Sequence, residues 1–482
     1  MLLAMVQSHE KSAEVDTNDE NHMRTLEAAC AGDGITNSNE VIDDDEAITI
    51  SISATLDTCN DPETNKHILS PTPMIGDVNN AGALEQRIEE LAYYSKYAVG
   101  AYGWLLYIYT YPWTGIFYLL GSYFLRRRHT SIFGDNLLRL NQSALFLESG
   151  ITSQDLLYAS FRGTVSHPAF YVAFDHHKKE LIIAIRGTLS LEDCLTDAMA
   201  QHVSVDAIAT QIGCDGVGEF AHEGFLQAAH SIYLEIERLD LLKTLSASNS
   251  TQEVQQTTGY RVVLVGHSLG AATASLLAVM LKPDFPNLQC FCYSPPGCIM
   301  SIGLSDRCKD FITSVVLGHD VVASASVQAA EEFRDRILEV IERSKVSKIA
   351  ILRRSAASRD INDLLHDSSD DTGRERSFVQ HLNRYRQSLR QIRADQVLYE
   401  LKMPGRIIHL KHKAFVADSP KVKLIDFRCR CRGLAKSIEY DFEWTHHTTF
   451  RSIRIAQSML DDHLANNVHA VLQKCAKSLQ VS

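Results

Sequence analysis

Hydrophobic and polar positions divide this chain into three stretches of different character. Residues 1–80 are rich in Asp, Glu, Asn, Ser and Thr, include the run Asp43-Asp44-Asp45-Glu46, and predict a disordered acidic tail. Residues 84–96 carry apolar positions at helical spacing and predict an amphipathic helix. From Tyr97 to Leu125 there is no charged residue, and the run ends at Arg126-Arg127-Arg128. It is long enough to cross a bilayer, which takes about 20 apolar residues. Pro112 and Gly115 interrupt it, and Tyr102, Trp104, Tyr107, Tyr109, Tyr111 and Trp113 crowd it. Such aromatics suit the headgroup region better than the hydrocarbon centre, which favours an interfacial or domain-packing segment over a spanning helix. The three arginines favour anionic lipid on the cytoplasmic side.

Residues 150–300 alternate between strand and helix patterns. Phe170 to Phe174 and Leu181 to Ile185 read as strands joined by a polar turn, and Ser190 to Ala200 and His222 to Leu234 as helices. Gln289 to Tyr293 and Phe311 to Leu317 read as further strands, the second ending in Gly318-His319-Asp320. Strands separated by helices imply a mostly parallel sheet with both faces covered. A charged helix is predicted over 327–349, a Ser/Asp/Arg-rich mobile insertion over 355–377, and a strand over Ile407 to Leu410. More strand is predicted within 429–455 and a last helix over 457–474. No internal repeat is visible.

Charge alters this picture little. Residues 1–70 hold fifteen Asp/Glu against three Lys/Arg, which accounts for the whole net charge of −12 and leaves the body balanced. That excludes the basic surface of a nucleic-acid protein. The 482 residues are enough for a large core. The eleven cysteines form no C-x-x-C pair. Cys290/Cys292 and Cys429/Cys431 fit alternating strand positions better than a metal site, so reduced, cytosol-facing thiols are expected. Met1 to Val6 is too short an apolar stretch for a secretory signal.

The chemistry centres on residues 262–278. Val262 to Val265 form a buried-strand pattern, Gly266-His267-Ser268-Leu269-Gly270 follows at once, and an Ala/Leu-rich helical run comes next. A lone G-x-S-x-G is a weak signal, but the flanking strand and helix make this one specific. Strand, sharp turn and helix present a serine hydroxyl on a strained elbow, with glycines where larger side chains would clash. The helix N-terminus offers N–H groups and a positive dipole end to a developing oxyanion. Ser268 is therefore the candidate nucleophile. A serine hydroxyl needs a base, and the base an orienting acid. Asp320, at a strand end after the nucleophile, suits the acid, although a capping or surface aspartate fits the same pattern. His366, His381, His409, His412, His446, His447, His463 and His469 all lie downstream, and spacing does not choose among them. The strand Ile183 to Ile185 runs into Arg186-Gly187-Thr188, a small-residue turn whose N–H groups suit the other half of an oxyanion site. Losing one such donor typically costs about 3 kcal/mol.

Further stretches stand out: Tyr102-Gly103-Trp104 with Tyr107-Ile108-Tyr109; Ile185 to Asp193 continuing to Leu195-Thr196-Asp197; His222-Glu223-Gly224-Phe225; Asp320-Val321-Val322 with Ile337-Leu338 and Arg343-Ser344; Pro404 to His409; and Met459-Leu460-Asp461-Asp462-His463. With the elbow, these resemble the class 3 lipase group and, more narrowly, the sn-1-specific diacylglycerol lipases, from about Ala101 to Leu472. The resemblance implies an α/β-hydrolase-type fold: a mostly parallel sheet flanked by helices, with an insertion between acid and histidine. It implies Ser268 as nucleophile, Asp320 as orienting acid, His463 as general base, and oxyanion donors at Thr188 and Leu269. The implied reaction is hydrolysis of the sn-1 ester of diacylglycerol to a 2-monoacylglycerol and a fatty acid at a membrane surface. Diacylglycerol and membrane lipid are the implied partners, and the implied location is membrane-associated and cytosol-facing, at the plasma membrane. The chemistry requires no cofactor. Calcium is implied by the resemblance, but no EF-hand-type spacing locates it and its ligands stay unknown.

The expected organisation is an acidic tail (1–80), an amphipathic and aromatic-rich membrane-associated segment (81–130), and a lipase catalytic domain (131–475) with a mobile, lid-like insertion at 355–400. Three departures from the family pattern stand out. An acidic tail takes the place of transmembrane helices, Ala323-Ser324-Ala325-Ser326 replaces Pro-Arg-Leu-Ser, and Ala465 replaces a proline. Two alternative functions remain open on sequence. One is a broader glycerolipid or phospholipid acyl hydrolase or carboxylesterase; the other is a catalytically silent, lipid-binding scaffold.

Overall fold

The computed structural model describes residues 81–125, 129–188, 202–214, 218–246, 259–343, 383–388, 399–412 and 439–480. The acidic tail, the helix expected at 190–200 and the Cys429/Cys431 pair lie outside these residues. So does the insertion at 355–400, except for residues 383–388 and 399–400.

In chain order the strands are β1 (Ile132–Phe133), β2 (Leu156–Ser160), β3 (Phe170–Asp175), β4 (Glu180–Ile185), β5 (His202–Ser204), β6 (Phe220–His222) and β7 (Arg261–His267). They continue as β8 (Gln289–Tyr293), β9 (Met300–Ser301), β10 (Ile312–Leu317), β11 (Leu401–Lys402), β12 (Arg406–His412) and β13 (Tyr440–Thr445). A nine-stranded sheet has the order β1-β2-β3-β4-β7-β8-β10-β12-β13. Strands β4, β7, β8, β10 and β12 run parallel, and antiparallel pairings occur at β2/β3, β3/β4 and β12/β13. A smaller sheet has the order β11-β9-β6-β5.

Alternation of side chains splits the core into two layers. Leu181, Ile183, Ile185, Val262 and Leu264 face one cluster. Ile182, Ala184, Val263 and Val265 face the other. Cys290 and Cys292 share a face, as strand alternation predicts, while Phe291 and Tyr293 point to the opposite one. Both faces are covered, so β4 and β7 read as continuous apolar runs. Each fully buried aliphatic side chain contributes about 2 kcal/mol of hydrophobic stabilisation.

The main helices are α1 (Ala81–Gly100), α2 (Trp104–Thr110), α3 (Gly115–Leu125), α4 (Leu140–Ser149), α5 (Glu223–Arg238), α6 (Leu269–Leu281), α7 (Val327–Arg343) and α8 (Ala465–Leu479). Helices α5 and α6 cover one face of the sheet through Phe225, Ile232, Leu276 and Leu277. Helices α1 and α8 cover the other through Ile88, Leu91, Val468 and Leu472. Tyrosines also fasten α1 to the sheet. Tyr97 donates to Asp175 Oδ2 at 2.8 Å, and Tyr94 donates to Glu180 Oε2 at 2.7 Å while its ring stacks on Phe291. Arg261 pairs with the buried Glu180 carboxylate at 2.5 Å. Residues 81–100 thus belong to the core built on the nine-stranded sheet.

One sequence expectation is refined and one changes. The uncharged run 97–125 is three helical pieces, broken at Gly103 (φ 72°) and at residues 111–114, and no helix among the described residues is long and apolar enough to cross a membrane. The last helix begins at Ala465 instead of 457, because residues 457–463 are held as turns by Asp462, which accepts from His319 N, Ser458 Oγ and His412 Nε2.

Helices α2 and α3 rest on α4 through Tyr107, Leu119, Leu140 and Ala144. Burial beneath them pushes the Glu148 carboxyl up to about 7, and its Oε1 has no hydrogen-bond partner among the described residues. The fold therefore prefers the protonated acid. Below about pH 4.5 both folded and unfolded chains hold the proton and there is no penalty; between there and about 7 stability falls, and above it the penalty is constant. Glu148→Gln is expected to match the parent near pH 5. Near pH 8 it should exceed the parent by about 2 kcal/mol, less than the full linkage value because the carboxyl is partly exposed. Urea melts at the two pH values check this, and an equal effect at both would contradict it.

Candidate active site

The elbow is built from close backbone approaches. A Cβ on Gly266 would lie 2.1 Å from Gly270 O, and one on Gly270 would lie 2.3 Å from Ile185 O, so neither position accepts a side chain. Between them Ser268 is held at φ 59°, ψ −128°, a conformation that costs an L-residue about 1–3 kcal/mol. Its N–H donates to Tyr293 O at 2.9 Å, and its carbonyl receives Ala271 N and Ala272 N, opening α6. These bonds fix the hydroxyl at the C-terminal edge of β7.

Ser268, Asp320 and His463 come together there. His463 Nε2 lies 2.9 Å from Ser268 Oγ, and His463 Nδ1 lies 3.0 Å from each Asp320 carboxylate oxygen. An ionised carboxylate only accepts, so Nδ1 carries the proton and Nε2 is left to accept from the serine hydroxyl. Asp320 follows β10, and its Oδ1 also accepts Val322 N at 2.9 Å. All three residues are buried.

The other downstream histidines are placed elsewhere. His409 bonds Gly318 O, His412 bonds Asp462, and His469 bonds Ser95 Oγ. His446 and His447 face each other with ring centroids 3.8 Å apart. His366 and His381 lie outside the described residues.

Spacing did not mark one supporting pair. His267 Nε2 lies 2.6 Å from the His463 carbonyl oxygen, and Tyr102 Oη lies 2.7 Å from His267 Nδ1. A carbonyl accepts, so Nε2 donates and the tyrosine hydroxyl donates to Nδ1. Burial, reinforced by the neighbouring His463, holds the His267 pKa well below its ordinary value and keeps the ring neutral. The pair thereby ties the backbone of His463 to the elbow and to the end of α1. The sequence signal for it was there: His267 directly precedes Ser268, and Tyr102 stands in a stretch already singled out.

For the oxyanion positions, Leu269 is the first residue of α6, where an N–H has no acceptor within the helix. Thr188 lies just past Gly187, and a Cβ added to Gly187 would sit 3.1 Å from Ser268 Cβ. The two proposed donor segments therefore flank the serine. A cavity of about 140 Å³ lies near the acid loop, and Ala323, Ser324 and Ser326 of the departing stretch line it together with His202, Lys402 and His447. Among the described residues no group of three or more His, Cys, Asp or Glu side chains is placed to hold a metal ion.

Residues 182–330 match the family model described as Lipase (class 3). Diacylglycerol lipase-beta of Mus musculus is 30% identical over 402 residues, covering 79% of this chain and 55% of that protein. Diacylglycerol lipase-alpha of Homo sapiens is 32% identical over 402 residues, covering 80% of this chain and 36% of that protein. The chain thus spans about half or less of the length of these curated relatives. A solved Rhizomucor miehei lipase propeptide complex aligns at 20% identity over 49% of this chain and 62% of that one, with a TM-score of 0.32. The order β4-β7-β8-β10-β12, with the serine elbow after β7, the acid after β10 and the histidine after β13, is that of an α/β-hydrolase. By the sequence matches the chain carries a class 3 lipase domain and is similar to the diacylglycerol lipases over about four-fifths of its length.

Proposed function

We propose that this protein is a serine lipase that hydrolyses the sn-1 acyl ester of diacylglycerol, giving a 2-monoacylglycerol and a fatty acid at a membrane surface. The observation that carries this reading is the linear set of contacts from Ser268 Oγ to His463 Nε2 and from His463 Nδ1 to Asp320. In the proposed reaction the Ser268 proton passes to His463 Nε2 as Oγ bonds to the acyl carbon. Asp320 steadies the imidazolium, and the Thr188 and Leu269 N–H groups hold the oxyanion. His463 then gives its proton to the departing glycerol oxygen as the ester C–O bond breaks. Water attacks the acyl-serine, its proton returns through His463, and the fatty acid leaves. Every proton is accounted for by the chain and the water, and calcium is assigned no role. Diacylglycerol as the substrate class, and a membrane-associated, cytosol-facing location at the plasma membrane, belong to the same proposal and rest on the likeness to diacylglycerol lipases.

The test is hydrolysis of diacylglycerols labelled separately at sn-1 and sn-2, alongside triacylglycerol, phospholipid and a short-chain ester. The expected result is Ser268-dependent release of the sn-1 label in excess of the sn-2 label. Preferential hydrolysis of phospholipid or of the short ester would replace this reading with a broader acyl hydrolase. Absence of Ser268-dependent labelling by a fluorophosphonate would replace it with a non-catalytic scaffold.

A further inference from the structure

Helices α2 and α3 bury one side and expose the other. Tyr107 and Leu119 are buried against α4, whereas Leu105 (49%), Tyr109 (60%), Tyr111 (44%), Trp113 (87%), Phe117 (73%) and Tyr118 (61%) are exposed. Leu105 and Tyr109 lie one turn apart on α2, so they share a face. The connecting turn carries Tyr111 and Trp113, and Phe117 and Tyr118 open α3. No residue from Tyr97 to Leu125 is charged. Contiguous apolar surface of this kind marks an interaction site.

Length and chemistry say what meets it. At 1.5 Å per residue, the 11 residues of α3 reach roughly half the thickness of a bilayer's hydrocarbon core, so the helix is too short to span. Tyr and Trp combine an apolar ring with a polar tip, which fits the headgroup boundary better than a dry protein interface. The sequence after α3 continues into three consecutive arginines, which complement anionic headgroups. The face is also joined to the elbow: α2 starts two residues after Tyr102, whose hydroxyl bonds the histidine adjoining Ser268.

We infer that the exposed face of α2 and α3 docks this protein on an anionic bilayer, with Trp113 and Phe117 entering the headgroup boundary. Docking here would bring the Tyr102–His267 end of the site close to the lipid from which the substrate comes. The inference deepens the lipase reading, and its test is chosen to stand apart from it.

The full chain carrying Ser268→Ala is mixed with vesicles of phosphatidylcholine and phosphatidylserine, so binding is read without turnover. Co-flotation is expected, with a blue shift of tryptophan emission that disappears in Trp113→Phe. Trp113→Ala combined with Phe117→Ala is expected to weaken partitioning at least about ten-fold. Both side chains are exposed, so the fold survives, which circular dichroism checks. Unchanged partitioning of the double variant overturns the inference. So does a Trp113 already shielded from acrylamide without vesicles, which would mean that another part of the chain or a second copy covers the face. If binding holds and no lipid substrate is turned over by the parent, the catalytic reading fails and the docking face stands.

Discussion

Ser268→Ala is expected to lower kcat by on the order of a million-fold, about 8 kcal/mol, and His463→Ala by nearly as much. The double variant is expected to be no worse than either single one. Non-additivity follows from the geometry, because a nucleophile 2.9 Å from its base works only through that base. Asp320→Asn keeps the shape but can donate to Nδ1, which favours the tautomer with the proton on Nε2, so that the ring donates to Ser268 where it should accept. A loss of about 10⁴-fold is expected. Steady-state hydrolysis of a short-chain ester, with circular dichroism to confirm that each variant is folded, checks all four variants. Losses that simply add would show that the three side chains do not act as one unit.

Gly266→Ala has the second large effect. The new methyl would meet Gly270 O at 2.1 Å, Gly270 C at 2.4 Å and Ala271 N at 2.7 Å. These are backbone atoms at the start of α6, so no rotamer change relieves the clash. Either β7 or α6 must move, and both lie in the core. A destabilisation above about 4 kcal/mol is expected, in the class of severe core disruptions. Gly121→Ala is the control: nothing among the described residues lies within 4 Å of its Cβ position in α3, and relief of unfolded-chain entropy is expected to leave stability unchanged or raised by about 1 kcal/mol. Thermal and denaturant melts separate the two, and equal melts would contradict the steric account.

What the sequence revealed depended on distance along the chain. The elbow was legible because strand, turn and helix are contiguous, and their glycines answer to local clashes. Strands β3, β4, β8 and β10 were legible because runs buried on both faces are apolar throughout. The choice of His463 was not legible from spacing. It meets Ser268 across 195 positions, and its loop is set by Asp462 reaching His319, Ser458 and His412. That network also stopped the last helix short of 457, against the apolar periodicity that favoured an earlier start. The division of 97–125 followed from Gly103 and the 111–114 turn. The burial of α1 was hidden because tyrosines reaching Asp175 and Glu180 look like an amphipathic surface when read alone.

The placement of α1 and α8 together on one face of the sheet bears on how the chain can be dissected. The stretch recognised by the class 3 lipase pattern, 182–330, contains the serine and the aspartate but neither the imidazole that joins them nor the helices that roof that face. Cut at those borders, a fragment would lay Ile182, Val263 and Val265 open to water. A fragment expected to fold by itself therefore has to run from the first turn of α1 to the last turn of α8, two helices that lie side by side and are joined by hydrogen bonds of Ser95 with His469 and of Gln473 with the Ala92 carbonyl.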